Sequence, residues 1–235
     1  MKLVLFGATG MVGSRIATEA SARGHQVVAV SRSGQSPVPG VTAAGGGAAG
    51  SGKGAGPADL PREPPAAEAD AADSAKVAEL VAGADAVGSA CVPPRDGSDP
   101  REPFLALNHS LVEGVREAGV HRLVIVGGAG TLEVAPGEAA CDQPDFPEAY
   151  RPEALAHRDA LTYLRTDVDD LDWTYISPAA EIGPGERTGE FRIGGDRMLT
   201  DAGGQSRISA EDYAMAFVDQ LEMPVHPHGR MSVAY

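Results

Sequence analysis

The glycine-rich segment after the first strand constrains the fold more than any other feature of this sequence. Leu3-Val4-Leu5-Phe6 is a short, continuously apolar run, as expected for a strand that is covered on both faces. It leads into Gly7-Ala8-Thr9-Gly10-Met11-Val12-Gly13, and residues 11–23 then carry apolar side chains at helical spacing. Gly24 is suited to end this helix, and residues 26–30 form a second apolar run. Two strands joined by one helix predict a right-handed βαβ unit.

The three glycines have separate roles in such a unit. Gly7 permits a tight turn, Gly10 lets the backbone approach a pyrophosphate closely, and Gly13 lets the helix pack near the strand. The free N–H groups and partial positive charge of the helix N-terminus favour phosphate. The sequence therefore predicts a dinucleotide-binding loop, although a glycine turn that serves packing alone is the alternative. The candidate contact residues in the loop are Gly7, Thr9, Gly10, Met11, Val12 and Gly13.

The residues after the second strand bear on which dinucleotide is bound. NAD-binding proteins usually place Asp or Glu there, to bind the ribose 2′-hydroxyl. This chain has Ser31-Arg32-Ser33 instead. Arg32 could pair with a 2′-phosphate, and both serines could hydrogen-bond to it. We therefore expect NADP(H) in preference to NAD(H); the alternative is that Arg32 is a solvated loop residue.

The remaining pattern predicts an α/β fold with one interruption. Residues 43–66 are rich in Gly, Ala and Pro and cannot bury enough apolar surface to order themselves, so we expect a flexible surface insertion. The alternation of strands and helices then predicts a Rossmann-type doubly wound, mainly parallel sheet in a single domain over residues 1–235. Residues 178–235 are less regular and are expected to form a small C-terminal substrate cap. Helices are predicted over 73–82, 104–118, 152–166 and 210–221, and strands over 85–90, 122–126, 173–176 and 231–233, with short strands near Phe191 and Arg207.

Charge and cysteine content exclude several classes of function. The net charge of −14 disfavours binding to nucleic acid or to anionic membranes. Cys91 and Cys141 are isolated, so we expect no metal site and a reducing cytoplasm. No apolar run reaches the length of about 18 residues typical of a membrane span, and the N-terminal run is too short for a signal peptide. A P-loop is disfavoured because Lys53 is followed by Gly54 rather than Ser or Thr. The expected partner is a small molecule, and the expected state is a monomer or homodimer.

Three segments of the chain carry a family resemblance: residues 7–13, 120–130 and 173–178. They resemble the atypical short-chain dehydrogenases/reductases, and within them the NADH–flavin reductase-like branch that is related to NmrA-like proteins and biliverdin reductase B. Residues 208–214 are also similar to the segment that opens the late helix in that group. The resemblance covers nearly the whole chain apart from the insertion. It implies that Asp70 and Ala71 lie near the adenine, Ala90 and Cys91 beneath the cofactor, and Gly127 and Gly128 beside the nicotinamide.

The sequence departs from the catalytic pattern of the standard members. They use Tyr-x-x-x-Lys with a serine after the fifth strand, because the lysine lowers the pKa of the tyrosine that protonates the substrate. Tyr150 is followed at that spacing by Ala154, and Gly127-Gly128 stands where the serine would be. Tyr150 is the first candidate proton donor because it precedes the helix that flanks the site. His157 is the second, since an ordinary imidazole pKa near 6.5 suits proton exchange. Surface or packing roles are the alternatives for both.

These features favour an NADPH-dependent oxidoreductase that reduces a small flavin-like or conjugated carbonyl substrate such as a quinone. A flavin acceptor would need little acid catalysis, so the missing lysine is compatible with this function. The alternatives are a non-catalytic NADP(H) sensor of the NmrA-like kind and a nicotinamide-dependent epimerase, isomerase or dehydratase. A deep pocket that holds a candidate acid and base would favour an enzyme, whereas a flat apolar patch beside the cofactor cleft would favour the sensor.

Overall fold

The computed structural model describes residues 1–31, the backbone of residues 66–68, and residues 71–235. The sequence predictions for Arg32, Ser33 and Asp70, and for the insertion up to residue 65, lie outside these residues. The helices are α1 (Met11–Ala22), α2 (Ser74–Val81), α3 (Arg101–Glu117), α4 (Arg151–Asp167) and α5 (Ala210–Glu222). The strands are β1 (Lys2–Phe6), β2 (Gln26–Ser31), β3 (Ala66–Glu68), β4 (Ala86–Ser89), β5 (Arg122–Val126), β6 (Glu133–Ala135), β7 (Glu138–Ala139), β8 (Asp172–Ser177), β9 (Glu181–Gly183), β10 (Arg192–Gly194), β11 (Arg207–Ser209) and β12 (Gly229–Ala234).

The central sheet has the strand order β10-β12-β8-β5-β4-β1-β2-β3. All neighbouring strands run parallel except β10 and β12, which are antiparallel. The strand order reverses between β1 and β4, and ligands of open α/β sheets bind outside the carboxyl ends of the strands at such a point. The fold therefore places its ligand cleft beside the loops that follow β1 and β4.

Helices cover both faces of this sheet, as the predicted doubly wound fold requires. On one face α1 and α5 pack together over a cluster that includes Ile16, Tyr213 and Phe217. On the other face α2, α3 and α4 pack in sequence over a cluster that includes Leu111 and Trp173. The central strands β1 and β5 are buried from both sides, which explains why their sequences are almost continuously apolar rather than alternating.

The N-termini of three helices differ in whether a side chain caps their first N–H groups. The side chain of Asp73 caps α2 by accepting from Lys76 N at 3.1 Å, and Ser209 caps α5 by accepting from Asp212 N at 3.0 Å. At α1 the N-cap residue is Gly10, with no side-chain cap and no acidic residue in the first turn. The first N–H groups of α1 therefore lack a side-chain acceptor, unlike those of α2 and α5.

The small substrate cap over 178–235 stays a prediction, but the structure shows that two elements of this segment also belong to the Rossmann layers. β12 pairs with β8 inside the central sheet, and α5 packs against α1 on its face. Their apolar residues cover the sheet itself, so they belong to the Rossmann layers. Within residues 178–235, the segment from β9 to β11 lies outside these layers. Its strand β10 is the exception, because it pairs with β12 at the edge of the central sheet. β9 and β11 form a separate two-stranded parallel sheet.

The other predicted helices and strands are confirmed within a few residues at their ends. The short strands β3, β6, β7 and β9 are missed by the sequence analysis. β3 begins at Ala66, which had been counted in the insertion, and it pairs in parallel with β2. In the part of the chain that the structure describes, no helix is both long and apolar enough to cross a bilayer.

Candidate active site

A cleft of about 1390 Å³ opens at the carboxyl ends of the central strands. It brings together most of the residues that the sequence analysis singled out. Those that line it are Gly10, Met11, Val12, Gly13, Ala90, Gly127, Gly128, Tyr150 and His157. Five other candidates belong to the part of the chain that the structure describes but do not line the cleft: Gly7, Thr9, Ser31, Ala71 and Cys91.

The glycine loop has the shape that the sequence predicts. Gly7 has a φ of +72°, and a Cβ there would lie 2.6 Å from the carbonyl carbon of Ala90. A Cβ on Gly13 would lie 2.2 Å from the carbonyl oxygen of Gly7. These two glycines are therefore required by the protein's own packing, since real Cβ atoms do not approach so closely.

Gly10 is different, because the protein leaves room for a side chain there. Its φ of −68° suits any residue, and the nearest atom to an added Cβ would be Gly7 O at 3.5 Å. Packing therefore does not explain the glycine. The bare backbone at Gly10 leaves the uncapped start of α1 open to the approach of a phosphate group.

The segment after β5 forms a second wall of the cleft from bare backbone. A Cβ on Gly127 would lie 2.3 Å from Cε1 of Tyr175, and one on Gly128 would lie 2.7 Å from Cδ2 of His157. At Gly130 it would lie 2.7 Å from Cβ of Ala154. The serine of the standard family members cannot fit at Gly127 or Gly128, because aromatic rings occupy that space.

His157 lies on α4 behind this wall and is only 3% exposed. Its Nδ1 is 2.6 Å from the hydroxyl oxygen of Tyr175, and its ring packs edge-on against Phe104 at 4.9 Å between centroids. Burial lowers the pKa of His157 to about 4, against a smaller raising effect of Glu153. The expectation of an imidazole pKa near 6.5 is therefore wrong, because the charged ring would have to be desolvated.

Tyr150 lies at the mouth of the same cleft. It ends a short 3₁₀ turn directly before α4, as the sequence analysis expected, and 64% of its surface is exposed. One turn further along, Glu153 accepts from Nε and Nη2 of Arg95 at 2.9 and 2.8 Å. Arg95 also lines the cleft, so a guanidinium and a phenol flank its entrance. The sequence analysis missed Arg95, because a single arginine in a loop carries no spacing signal.

A loop between β9 and β10 encloses the cleft on the side of α1. Asp212 of α5 accepts from the backbone N–H groups of Thr188 and Gly189, both at 2.8 Å, and from the Thr188 hydroxyl at 2.6 Å. Arg187 forms a two-point ion pair with Glu19 of α1 at 2.8 Å. These contacts hold residues 187–189, the rim of the cleft, beside the glycine loop.

The described residues place no group of three or more His, Cys, Asp or Glu side chains where they could hold a metal ion. Cys91 and Cys141 are not joined to each other by a disulfide bond.

Comparisons with known proteins identify the family of this chain. The family described as NAD(P)H-binding matches residues 57–224. A crystal structure from Burkholderia pseudomallei, named "putative exported protein", is 48% identical with a TM-score of 0.82, and each chain is covered over 100% of its length. A "putative epimerase" from Bacteroides thetaiotaomicron is 36% identical with a TM-score of 0.81, covering 100% of this chain and 96% of that one. A "putative NADH-flavin reductase" from Streptococcus pneumoniae is 30% identical with a TM-score of 0.74, covering 100% and 99%. This chain belongs to the NAD(P)H-binding family, among the atypical short-chain dehydrogenases/reductases.

Proposed function

We propose that the protein is an NADPH-dependent oxidoreductase that transfers hydride to a small flavin-like or conjugated carbonyl acceptor such as a quinone. One observation carries the proposal: the same cleft is lined by the start of α1, by the bare backbone after β5 and by two candidate proton donors. Beside the glycine loop the described residues form a cleft rather than the flat apolar patch that would favour a sensor. The flavin reductase name of the Streptococcus pneumoniae relative supports a flavin acceptor.

The cofactor would be held by the glycine loop and the N-terminus of α1. The N–H groups of Met11, Val12 and Gly13 are free to bind the pyrophosphate, and Gly10 leaves it room. Preference for NADPH over NADH rests on the sequence Ser31-Arg32-Ser33. Once bound, the nicotinamide supplies the hydride, and the protein supplies orientation and polar contacts.

The remaining space suits a flat, largely apolar acceptor. Pockets for single small ligands are typically about 300–1000 Å³. The cleft of about 1390 Å³ therefore has room for a second molecule beside a cofactor. Val92, Phe146 and Tyr150 line the outer part, while Arg95, which is paired with Glu153, places a guanidinium group at the mouth.

The chain's own residues support a mechanism without a tyrosine–lysine pair. Ala154 stands where the lysine would follow Tyr150, and its Cβ packs near Gly130. Tyr150 is placed to donate from the mouth of the cleft, and neutral His157 from its inner wall. A flavin acceptor needs little acid catalysis, whereas a carbonyl acceptor needs one of these donors.

The test is a titration of the purified protein with NADPH and NADH, followed by addition of FMN, riboflavin and a panel of quinones. We expect tighter binding of NADPH, binding that weakens on Arg32→Asp, and oxidation of NADPH with at least one acceptor. Tight NADPH binding without turnover of any acceptor would instead support a sensor. Turnover of a sugar-like or hydroxyl substrate without net NADPH consumption would support an epimerase, the activity named for the Bacteroides thetaiotaomicron relative. As part of the same proposal, the protein acts on a small molecule in the cytoplasm. It does so as a monomer or homodimer.

A further inference from the structure

Tyr175 is a buried tyrosine of β8 that the proposed mechanism leaves without a role. Its ring packs against Gly127, and its hydroxyl lies 2.6 Å from Nδ1 of His157 and 3.3 Å from the backbone carbonyl of His157. The residue is fully buried, yet its hydroxyl reaches the imidazole of His157, a residue that lines the cleft.

The neighbouring groups fix where the proton between Tyr175 and His157 lies. The phenol has one hydrogen, and the contact to Nδ1 is much shorter than the contact to the carbonyl. Burial raises the pKa of Tyr175, against a smaller lowering effect of Arg230, so the phenol keeps its hydrogen. A separation of 2.6 Å is typical of an O–H donor and short for an N–H donor, so we assign the phenol hydrogen to the contact with Nδ1 of His157 rather than to the carbonyl.

The same assignment determines whether the other ring nitrogen, Nε2, carries a hydrogen. A neutral imidazole whose Nδ1 accepts must carry its hydrogen on Nε2. Among the described residues, the buried side-chain atoms without a hydrogen-bond partner are Asn108 Oδ1, Arg122 Nε and Ser177 Oγ. Nε2 of His157 is not among these atoms, and His157 lines the cleft. We therefore take Nε2 to be the ring nitrogen that faces the cleft.

We propose that Tyr175 is a positioning residue that holds His157 as the neutral Nε2–H tautomer, so that this N–H donates a hydrogen bond to the acceptor during reduction. The inference deepens the proposed function and rests on it. When hydride adds to the acceptor, the displaced electron pair moves onto its oxygen or ring nitrogen. The Nε2–H group stabilises that charge, the nicotinamide is oxidised by two electrons, and the proton that completes the reduction comes from water.

The groups that face the ring are consistent with a neutral donor over the physiological range. Phe104 of α3 and Gly128 contribute no charge. Glu153 of the same helix raises the pKa of His157, and Arg95 beyond it lowers the pKa, while burial dominates both. The ring therefore stays uncharged well below neutrality and needs no lysine to set its state.

Nitrogen-15 NMR of histidine-labelled protein tests the tautomer independently of activity. We expect His157 to show the Nε2–H tautomer at pH 7 and no titration between pH 5.5 and 8.5. Tyr175→Phe should mix the two tautomers, whereas Tyr163→Phe on α4, in the same core cluster, should not. An Nδ1–H tautomer in the wild type, or an unchanged tautomer in Tyr175→Phe, would overturn the inference.

Steady-state kinetics with an accepted quinone or flavin completes the test. Tyr175→Phe should lower kcat about fivefold to tenfold, the equivalent of one net hydrogen bond, with unchanged NADPH affinity. His157→Gln retains an N–H donor and should keep more activity than His157→Leu. Equal activity of these two variants would refute the donor role. If the wild type binds NADPH but reduces no acceptor, the proposed function fails, while the NMR result still decides the positioning.

Discussion

The buried neutral histidine predicts a specific dependence of stability on pH. The pKa of His157 is about 4 in the folded protein because the ring is desolvated, and about 6.5 in an unfolded chain. The unfolded chain therefore binds more protons below pH 6.5, so this group leaves stability intact above that pH and lowers it as the pH falls towards 4. Since the residue is only 3% exposed, solvent screening barely reduces the effect.

The size of this effect follows from the two pKa values. At pH 4.5 the linkage costs about 2.5 kcal/mol of unfolding free energy, and at pH 7.5 it costs almost nothing. His157→Gln cannot titrate and should lose this dependence. The free energy of unfolding of the variant relative to the wild type should therefore rise by about 2.5 kcal/mol between pH 7.5 and 4.5.

Urea unfolding at the two pH values, followed by circular dichroism, measures this difference. Every other titrating group is common to both proteins and cancels. Leu161→Ala, a neutral change at a buried residue of the same helix, is the control; it should destabilise the protein by about 2–5 kcal/mol equally at both pH values. A relative stability of His157→Gln that does not change with pH would refute the account of a desolvated neutral ring.

Three further substitutions test other parts of the site. Gly128→Ser should cost about 1–3 kcal/mol in urea unfolding, because the new Cβ meets the His157 ring, and the cost should fall in a His157→Ala background; equal costs in both backgrounds would argue against this contact. Arg95→Gln should reduce the preference for FMN over riboflavin in kcat/KM about fivefold, and an unchanged ratio would show that Arg95 does not select a phosphate-bearing acceptor. Asp212→Ala leaves the N–H groups of Thr188 and Gly189 without their acceptor and should destabilise the protein by about 2 kcal/mol or more, with faster amide hydrogen exchange at both residues; unchanged exchange would mean that Asp212 does not hold the rim.

Most of the fold could be predicted because its central elements are strongly patterned. The strand–glycine–helix–strand start and the apolar run at Arg122–Val126 leave few arrangements other than a parallel sheet. The position of α5 and β12 could not be predicted in the same way. Their apolar residues show that they are buried, but a pattern along one segment does not say which sheet or face buries them.

The candidate site was predicted unevenly, for a related reason. The glycine loop was found because its three glycines recur at a fixed spacing within a short stretch of chain, between a strand and a helix. Tyr175 was missed, since an aromatic residue in a buried strand is typical of a core. Its hydroxyl gains a role only because α4 brings His157 beside it, 18 positions away in sequence. Contacts of this kind depend on tertiary packing, which local spacing does not encode.

Titration of NADPH into the wild type and Gly10→Ala is the most direct test of the central claim that the glycine loop binds NADP(H). A Cβ at Gly10 meets no close contact in the protein, so Gly10→Ala should unfold at nearly the same urea concentration as the wild type. It should nevertheless bind NADPH at least about tenfold more weakly, because the methyl group occupies the approach of the pyrophosphate. Gly195→Ala, where a Cβ also meets open space, should bind as the wild type does. No binding of NADPH by the wild type, or equal affinity in Gly10→Ala, would contradict the account.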